Sequence, residues 1–248
     1  MHTSHITIPN GDLQIDAYLA QPTDEGAFPA VIVIQEIFGV NAHIREVTER
    51  VASMGYVAIA PAIYQRQAPG FEIGYSPEDV VLGRKYKEQT HVDQLLSDLT
   101  AAIAYLQHMP NVRSEAIGCI GFCFGGHVAY LAATLPQIKA TASFYGAGIP
   151  TWCPGNGAPT ITYTPRIAGT LYAFFGTDDP SIPPEHIAEI ELALQQNQVS
   201  HRIFQYPGAQ HGFCCDRRAS YDAASAEDAW QRVETLFHDV LGQSPPKL

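Results

Sequence analysis

The sequence predicts an α/β fold in one domain, with a mainly parallel central sheet and helices on both of its faces. Three observations lead to this class. Apolar, β-branched stretches alternate along the 248 residues with segments of helical periodicity, and this alternation builds parallel sheets. Several apolar stretches are continuous, as in strands that are buried on both faces. No repeat, low-complexity tract or linker divides the chain, so we predict a single domain over residues 1–248.

The first part of the chain begins with a predicted hairpin. The stretches HITIP and LQIDAYLAQ flank Asn10-Gly11, a dipeptide that is typical of two-residue hairpin turns. PAVIVIQEI and YVAIAPAIY are continuous apolar runs and predict buried strands. Between them, residues 41–55 repeat apolar positions with helical spacing and predict a helix that ends at Gly55. Residues 64–80 lose this periodicity and contain prolines and glycines, which predicts a loop.

The remainder of the chain continues the alternation. Helical periodicity predicts helices over residues 91–109, 183–198 and 223–241, and GGHVAYLAATL predicts a shorter helix. The stretches EAIGCIGF, ATASFYG, GTLYAFFG and HRIFQYPG predict strands. Residues 147–167 follow neither period, and we predict an irregular segment there.

Composition and charge narrow the class of partner. The formal net charge is −11 and no basic run is present, which argues against a nucleic-acid or anionic membrane surface. No apolar run approaches the roughly 18 residues of a membrane helix, and the N-terminal stretch lacks the apolar core of an export signal. The five cysteines are an odd, sparse set, unlike a disulfide framework. We therefore predict a cytoplasmic protein.

The stretch GFCFG, residues 121–125, places a cysteine between two glycines where a strand becomes a helix. It fits the G-x-nucleophile-x-G turn of α/β-hydrolases, with Cys123 in place of serine. Glycine is needed where strand and helix nearly touch, and the N-terminus of the helix favours a thiolate. A packed core thiol is the alternative for Cys123. A redox pair with Cys119 is disfavoured because the two cysteines are four residues apart and form no CxxC motif.

An acid and a histidine follow the cysteine in the chain order of an α/β-hydrolase triad. Asp178 and Asp179 end one predicted strand, and His211 ends the last. The histidine would hold Cys123 as a thiolate and protonate the leaving group, and the acid would orient the histidine. Alternatively, the histidine is a surface residue and the acids belong to a turn or cap a helix. The spacing does not choose between the two adjacent acids.

Backbone amides are the expected oxyanion donors. One is the amide of Phe124, and the other comes from the loop after VIVIQEI, where Glu36 and Ile37 lie. Glu36 comes shortly after an apolar run. It is either an acid at the start of a helix or a partner for the thiol of Cys123.

Several segments together resemble the dienelactone hydrolase family, to which carboxymethylenebutenolidases belong. They are VIVIQEIFGVNAHIREV, GYVAIAPAIYQRQAPG, IGFCFGG, the region of Asp179, and GAQHGF, and they run through nearly the whole chain. The resemblance implies a single-domain α/β-hydrolase fold and a Cys-His-Asp hydrolase without a cofactor. In the family a branched aliphatic residue and a proline follow the acid by three and four residues. Ile182 and Pro183 do so here, and this selects Asp179 over Asp178.

The resemblance also assigns roles to the other site residues. Cys123 corresponds to the family's nucleophile and His211 to its histidine. Glu36 corresponds to the glutamate that partners the thiol, and Ile37 and Phe124 supply the oxyanion amides.

The departures from the family pattern concern the substrate. The family holds a substrate carboxylate with two arginines, one four residues after the histidine and one four residues before a Tyr-Lys pair. Here those positions are Cys215 and Leu82. Arg84, Arg217 and Arg218 lie close by and are candidate replacements, although solvated surface arginines are at least as typical.

Three aromatic residues are further candidates for the substrate pocket. They are Phe38, Tyr86 and Tyr145, and each is equally typical of aromatic core packing.

The predicted function is cysteine-dependent hydrolysis of a small ester or lactone through a thioester acyl-enzyme, by a monomer or small homo-oligomer. A thioesterase or other acyl hydrolase is one alternative, and a hydrolase-like fold that binds or senses a ligand is another. Metal binding by His211, Cys214 and Cys215 matches no zinc spacing, so we predict no metal.

Overall fold

The chain opens with the predicted hairpin. In the computed structural model, which describes residues 1–242, β1 (His2–Asn10) pairs antiparallel with β2 (Leu13–Gln21). Gly11 has a φ of 61° in the turn, a conformation that glycine adopts without steric cost. The last residues of the predicted domain, 243–248, lie outside the described residues.

Within residues 1–242, eight strands form one sheet in the order β1-β2-β4-β3-β5-β6-β7-β8. The pairs β1–β2 and β2–β4 are antiparallel, and the other pairs are parallel. The carboxyl ends of the parallel strands therefore meet at one edge of the sheet. These strands are β3 (Phe28–Ile34), β4 (Val57–Pro61), β5 (Val112–Phe122), β6 (Ile138–Phe144), β7 (Thr170–Gly176) and β8 (His201–Tyr206).

Helices cover both faces of the sheet, as predicted for this fold class. Apolar side chains of α1, α5 and α6 belong to one buried cluster, and those of α3 and α4 belong to a second. Because each helix buries one apolar stripe against the sheet, the two clusters form the two layers of core. The helices are α1 (Ala42–Ser53), α2 (Pro77–Glu88), α3 (Val92–His108), α4 (Phe124–Ala132), α5 (Pro184–Gln196) and α6 (Ala223–Leu241).

Two segments differ from the sequence-based expectation. The loop predicted over residues 64–80 is wrong in its last part, because α2 begins at Pro77. Ser76 and Asp79 form a capping box at its start, and among the residues of α2, all of them described, Gly83 alone is buried. The helix therefore has no wide apolar stripe to reveal it. The irregular segment contains a 3-10 helix over Thr160–Arg166.

A membrane-spanning helix is not found within residues 1–242, where every helix is too short or too polar to cross a bilayer.

Candidate active site

Cys123 occupies the turn between β5 and α4. Its φ and ψ are 57° and −118°, a strained conformation for a residue with a side chain, and such strain is concentrated at functional sites. Its backbone N–H donates to the carbonyl of Phe144 at 3.0 Å, which ties the turn to the end of β6. The side chain is partly exposed, so this thiol is not sealed in the core.

The glycines around Cys123 are required by close backbone contacts. A Cβ at Gly121 would clash with the carbonyl of Gly125. One at Gly125 would clash with the carbonyl oxygens of Ile34 and Gln35. The close approach of β5 and α4 is the one that the glycine pattern predicts, and the amino end of α4 also sits directly against the end of β3.

His211 and Asp179 form a hydrogen-bonded pair after the ends of β8 and β7. The distance between His211 Nδ1 and Asp179 Oδ2 is 2.7 Å, and the Asp179 side chain is fully buried. Its other oxygen accepts from the Ser181 amide at 2.8 Å. Asp178 instead accepts from the hydroxyl of Thr177 and is exposed. Of the two adjacent acids, the structure brings Asp179 to the histidine.

The electrostatics of His211 connect it to Cys123. Burial lowers the pKa of His211, but the charge of Cys123 and the hydrogen bond with Asp179 outweigh burial and raise it to about 10. A protonated imidazole and a thiolate stabilise each other through their opposite charges.

Glu36 is paired with an arginine. Its side chain is fully buried, and Arg218 Nη1 donates to Glu36 Oε1 at 3.2 Å. Burial lowers the pKa of Arg218, but the charges of Glu36 and Cys123 raise it above its ordinary value. The guanidinium lies 5.9 Å from the ring centroids of both Phe38 and Tyr75. The sequence singled out each partner but not their pairing.

The other cysteines are free thiols. Cys119 is buried within β5, and its Sγ lies 3.5 Å from the hydroxyl of Thr141. Burial raises the pKa of this thiol to about 12, so Cys119 has the properties of a core residue rather than of a redox partner.

The sequence of this chain is similar to a known protein family. The model of the dienelactone hydrolase family matches residues 15–241 of the chain. The chain belongs to the dienelactone hydrolase family. The prediction of an enzyme that hydrolyses ester or lactone bonds is thereby confirmed at the level of the family.

Relatives cover nearly the whole of this family member. A protein of Synechocystis sp. is 64% identical over 239 residues, 96% of this chain and 97% of its own. One of Yersinia pestis is 36% identical over 248 residues, 96% of this chain and 88% of its own. Both are named "Putative carboxymethylenebutenolidase". The crystal structure of a "Putative Dienelactone Hydrolase" from Klebsiella pneumoniae is 33% identical, with a TM-score of 0.85 over 95% of this chain and 98% of that one.

In this dienelactone hydrolase family member, Cys123 and His211 open on one cavity of about 360 Å³. Ile37 and Phe124 line the same cavity. Phe124 is the first residue of α4, and the first amides of a helix have no partner within it. The amide of Phe124 is therefore free of the helical hydrogen-bond ladder next to the sulfur.

The predicted substrate residues divide into two groups. Phe38, Arg84 and Arg218 line the cavity. The structure does not place the other three there. The ring of Tyr86 packs against Tyr64 and Phe71, at centroid distances of 6.1 and 4.8 Å.

Tyr145 and Arg217 also lie outside the lining of the cavity. Tyr145 is fully buried behind the histidine, with its ring centroid 5.2 Å from that of His211. Arg217 is part of an exposed ion pair with Glu46. Neither residue is therefore retained as a contact for substrate.

Lys87 is a cavity residue that the sequence analysis missed. It lines the cavity with Arg84 and Arg218, and its Nζ lies 4.4 Å from the ring centroid of Trp152. The pKa of Lys87 is lowered overall, because the effect of burial exceeds that of the charge of Cys123, which raises it. Lys87 follows Arg84 by three residues on α2, a spacing that places two side chains on one helical face. That signal was lost because α2 was not predicted.

Proposed function

We propose that this protein hydrolyses small ester or lactone substrates through a covalent thioester on Cys123, with His211 and Asp179 as the other members of a triad. The observation that carries the proposal is the 2.7 Å bond between His211 and the buried Asp179, formed where His211 and Cys123 open on one cavity. A nucleophile, a base and an orienting acid at the ends of different parallel strands support acyl transfer.

The reaction would proceed in two halves. The Cys123 thiolate attacks the carbonyl carbon, a carbon–sulfur bond forms, and the amides of Ile37 and Phe124 stabilise the oxyanion. The carbon–oxygen bond then breaks, and His211 gives its proton to the leaving alkoxide. In the second half His211 takes a proton from water, the hydroxide attacks the thioester, and the acid product and thiolate are released. Asp179 would hold the imidazole in the required orientation throughout.

Glu36 has a less direct part in this proposal. Its predicted role as partner of the thiol stays a prediction, since the partner observed is Arg218 at 3.2 Å. We place Glu36 as a positioning residue that holds Arg218 at the cavity wall.

The charge of the cavity wall supports a substrate that carries a carboxylate. The cavity is lined by three basic residues and one acidic residue. The basic residues are Arg84, Lys87 and Arg218, and the acidic residue is Glu88. Arg218 is partly neutralised by Glu36, so Arg84 and Lys87 are the better candidates for an anion. They lie on α2, which also carries Leu82, one of the two positions where the family pattern has an arginine.

The test is turnover of lactones and aryl esters, in matched pairs with and without a carboxylate. We expect Cys123→Ala to lower turnover by a factor on the order of 10⁴ or more, because the nucleophile is lost. Cys119→Ala is the matched control, four residues earlier on β5, and should keep its activity. Undiminished turnover in Cys123→Ala would reject the covalent mechanism.

The same assay separates the alternatives. Preferred turnover of thioesters or peptides would indicate another acyl hydrolase, and binding of substrates without turnover would indicate a sensor. For the carboxylate, Arg84→Gln and Lys87→Met should raise KM for the charged member of each pair and leave KM for the neutral member nearly unchanged. Equal effects on both members would reject the role of these cations.

A further inference from the structure

A second cluster of reactive side chains lies near the cavity that Cys123 and His211 line. In the proposed reaction only one member of this cluster has a part, Glu36, which positions Arg218. Glu36 follows β3, His43 lies on α1, and Cys215 follows β8. One ligand atom from each, a carboxylate oxygen, a ring nitrogen and a sulfur, lies within 4.8 Å of the other two. All three residues are buried, with exposures of 0%, 5% and 0%.

Two polar atoms of this cluster lack partners. Glu36 Oε2 and His43 Nε2 are each shielded from solvent and form no hydrogen bond with any residue in the described range 1–242. Buried polar atoms are nearly always bonded, and leaving one unsatisfied costs about 1–3 kcal/mol. Two residues of the cluster therefore each carry a buried atom that is free to bind a further group.

The chemistry of the donors selects the kind of group. A carboxylate, an imidazole and a thiolate are the ligands that Zn²⁺ takes in proteins. His43 offers an unbonded ring nitrogen, Nε2. Cys215 is a free thiol that donates to the hydroxyl of Tyr75 at 3.4 Å, so a bound cation must displace the thiol proton and this hydrogen bond. Cations with high affinity for sulfur do this, and the proton leaves to solvent.

Arg218 is the charge that opposes a cation here. It donates to Glu36 Oε1 at 3.2 Å and leaves Oε2 to the cluster. Once Cys215 is a thiolate, the two negative charges of Glu36 and Cys215 exceed the single positive charge of Arg218. The net local charge then favours a divalent cation.

His43 also connects the cluster with the surface. Its Nδ1 lies 4.0 Å from Asp216, and His43, Glu46 and Asp216 form a second group of possible ligands that is open to solvent on its two acids. These three residues line an open cavity of about 360 Å³. Although Arg217 pairs with Glu46, Asp216 remains exposed beside His43. The open cavity therefore brings solvent up to the His43 side of the cluster.

We propose that Glu36, His43 and Cys215 form a binding site for a thiophilic divalent cation of the Zn²⁺ class. The cation links the end of β3, α1 and the segment after β8. Because that segment carries both His211 and Arg218, the cation fixes it against the sheet. The sequence-based prediction of no metal considered His211, Cys214 and Cys215; the site proposed here has a different set of ligands, and its existence does not depend on the proposed hydrolysis.

The experiment is a titration with Co²⁺ of the full-length Cys123→Ser variant, in which the cavity thiol that competes for metal is gone. We expect one Co²⁺ per chain, a thiolate-to-cobalt charge-transfer absorption, displacement by Zn²⁺, and a higher unfolding temperature with either metal. Adding Cys215→Ser should abolish the absorption, while Cys214→Ser, its immediate neighbour, should retain it.

His43→Gln is the second test, and it does not alter a thiol. Added to Cys123→Ser, it should weaken Co²⁺ binding by more than the roughly 10–100-fold that loss of an outer-sphere partner causes. Circular dichroism without metal checks that each variant is folded. If Cys123→Ser binds no Co²⁺, or if the absorption survives in Cys215→Ser, the cluster is a buried polar network that holds water, and the proposal is overturned.

Discussion

The protonation of His211 depends on a single neighbouring sulfur. Burial lowers the pKa of this imidazole, and the charge of Cys123 is the largest influence that raises it again, to about 10. Cys123→Ser replaces that charge with a neutral hydroxyl. We therefore expect His211 in the variant to lose its proton at a lower pH than in the wild type, measured by following its imidazole NMR signal with pH.

Two controls make this measurement specific. His211→Gln identifies the signal among the ten histidines of the chain. Asp178→Asn alters an exposed acid that does not bond to the imidazole and should leave the pKa of His211 in place. An unchanged pKa in Cys123→Ser would show that the thiolate is not what holds the proton on His211.

The two adjacent acids provide a matched pair for a second test at the scale of residues. Asp179 accepts from His211, whereas Asp178 is exposed and accepts from Thr177. We expect Asp179→Asn to lower kcat by a factor on the order of 10⁴, because an amide does not hold the imidazole in the required tautomer. Asp178→Asn should retain turnover of the same ester. Equal effects of the two substitutions would remove Asp179 from the triad.

At the scale of elements, α2 packs closely on the loop of Ile37. A Cβ at Gly83 would clash with the carbonyl oxygen of Ile37. Alanine favours a helix interior over glycine by about 1 kcal/mol, but overpacking costs about 1–3 kcal/mol. We expect Gly83→Ala to lower both the free energy of unfolding and kcat, because α2 must move from the loop that holds the Ile37 amide.

Val81→Ala is the control for this change. It lies on the same helix, is 70% exposed, and should alter neither unfolding by urea nor turnover beyond a small gain in helix propensity. If Gly83→Ala instead stabilises the protein in urea, propensity outweighs packing, and the contact between α2 and the loop is looser than the structure indicates.

Some elements could be predicted from sequence because burial left a pattern in it. The helix predicted over residues 223–241 forms over Ala223–Leu241, since its apolar stripe packs on the sheet. The helix α2 escaped prediction because its one buried position is Gly83, which has no side chain to contribute to a stripe. The capping box of Ser76 and Asp79 was the signal present.

The same reasoning explains what was predictable in the candidate site. Cys123, Asp179 and His211 each follow a predicted strand, in the chain order of a triad. A parallel sheet gathers the carboxyl ends of its strands at one edge. The choice of Asp179 over Asp178 came from family resemblance, since spacing treats both alike. The pairing of Glu36 with Arg218 joins residues 182 positions apart, and no local pattern encodes such a contact.

At the scale of the whole molecule, the sheet order determines which groups meet. The strands β3, β5, β6, β7 and β8 are neighbours in that order, and Glu36, Cys123, Asp179 and His211 follow four of them. The fifth strand, β6, carries no such group, but the carbonyl of Phe144 at its end accepts from the backbone N–H of Cys123. The candidate site therefore depends on five of the six parallel strands, all except β4.

The antiparallel end of the sheet is held to the rest by a buried carboxylate. Asp98, on α3, is 1% exposed. It accepts from Asn10 at 2.7 Å, at the turn of the hairpin, and from Arg66 at 3.1 and 2.6 Å, in the loop after β4. Three segments distant in sequence thus converge on one side chain, and none of these residues lines the cavity of the candidate site.

We expect Asp98→Ala to destabilise the fold without changing its chemistry. Breaking a buried pair costs about 3–5 kcal/mol; the Arg66 side chain is 29% exposed and regains some hydration, so the loss should be nearer about 2–3 kcal/mol. The urea midpoint should fall with an unchanged m-value, and kcat/KM of the folded protein should persist. Asp93→Ala, an exposed acid in the first turn of α3, should cost at most about 1 kcal/mol. Equal losses would mean that the hairpin is held by apolar packing alone.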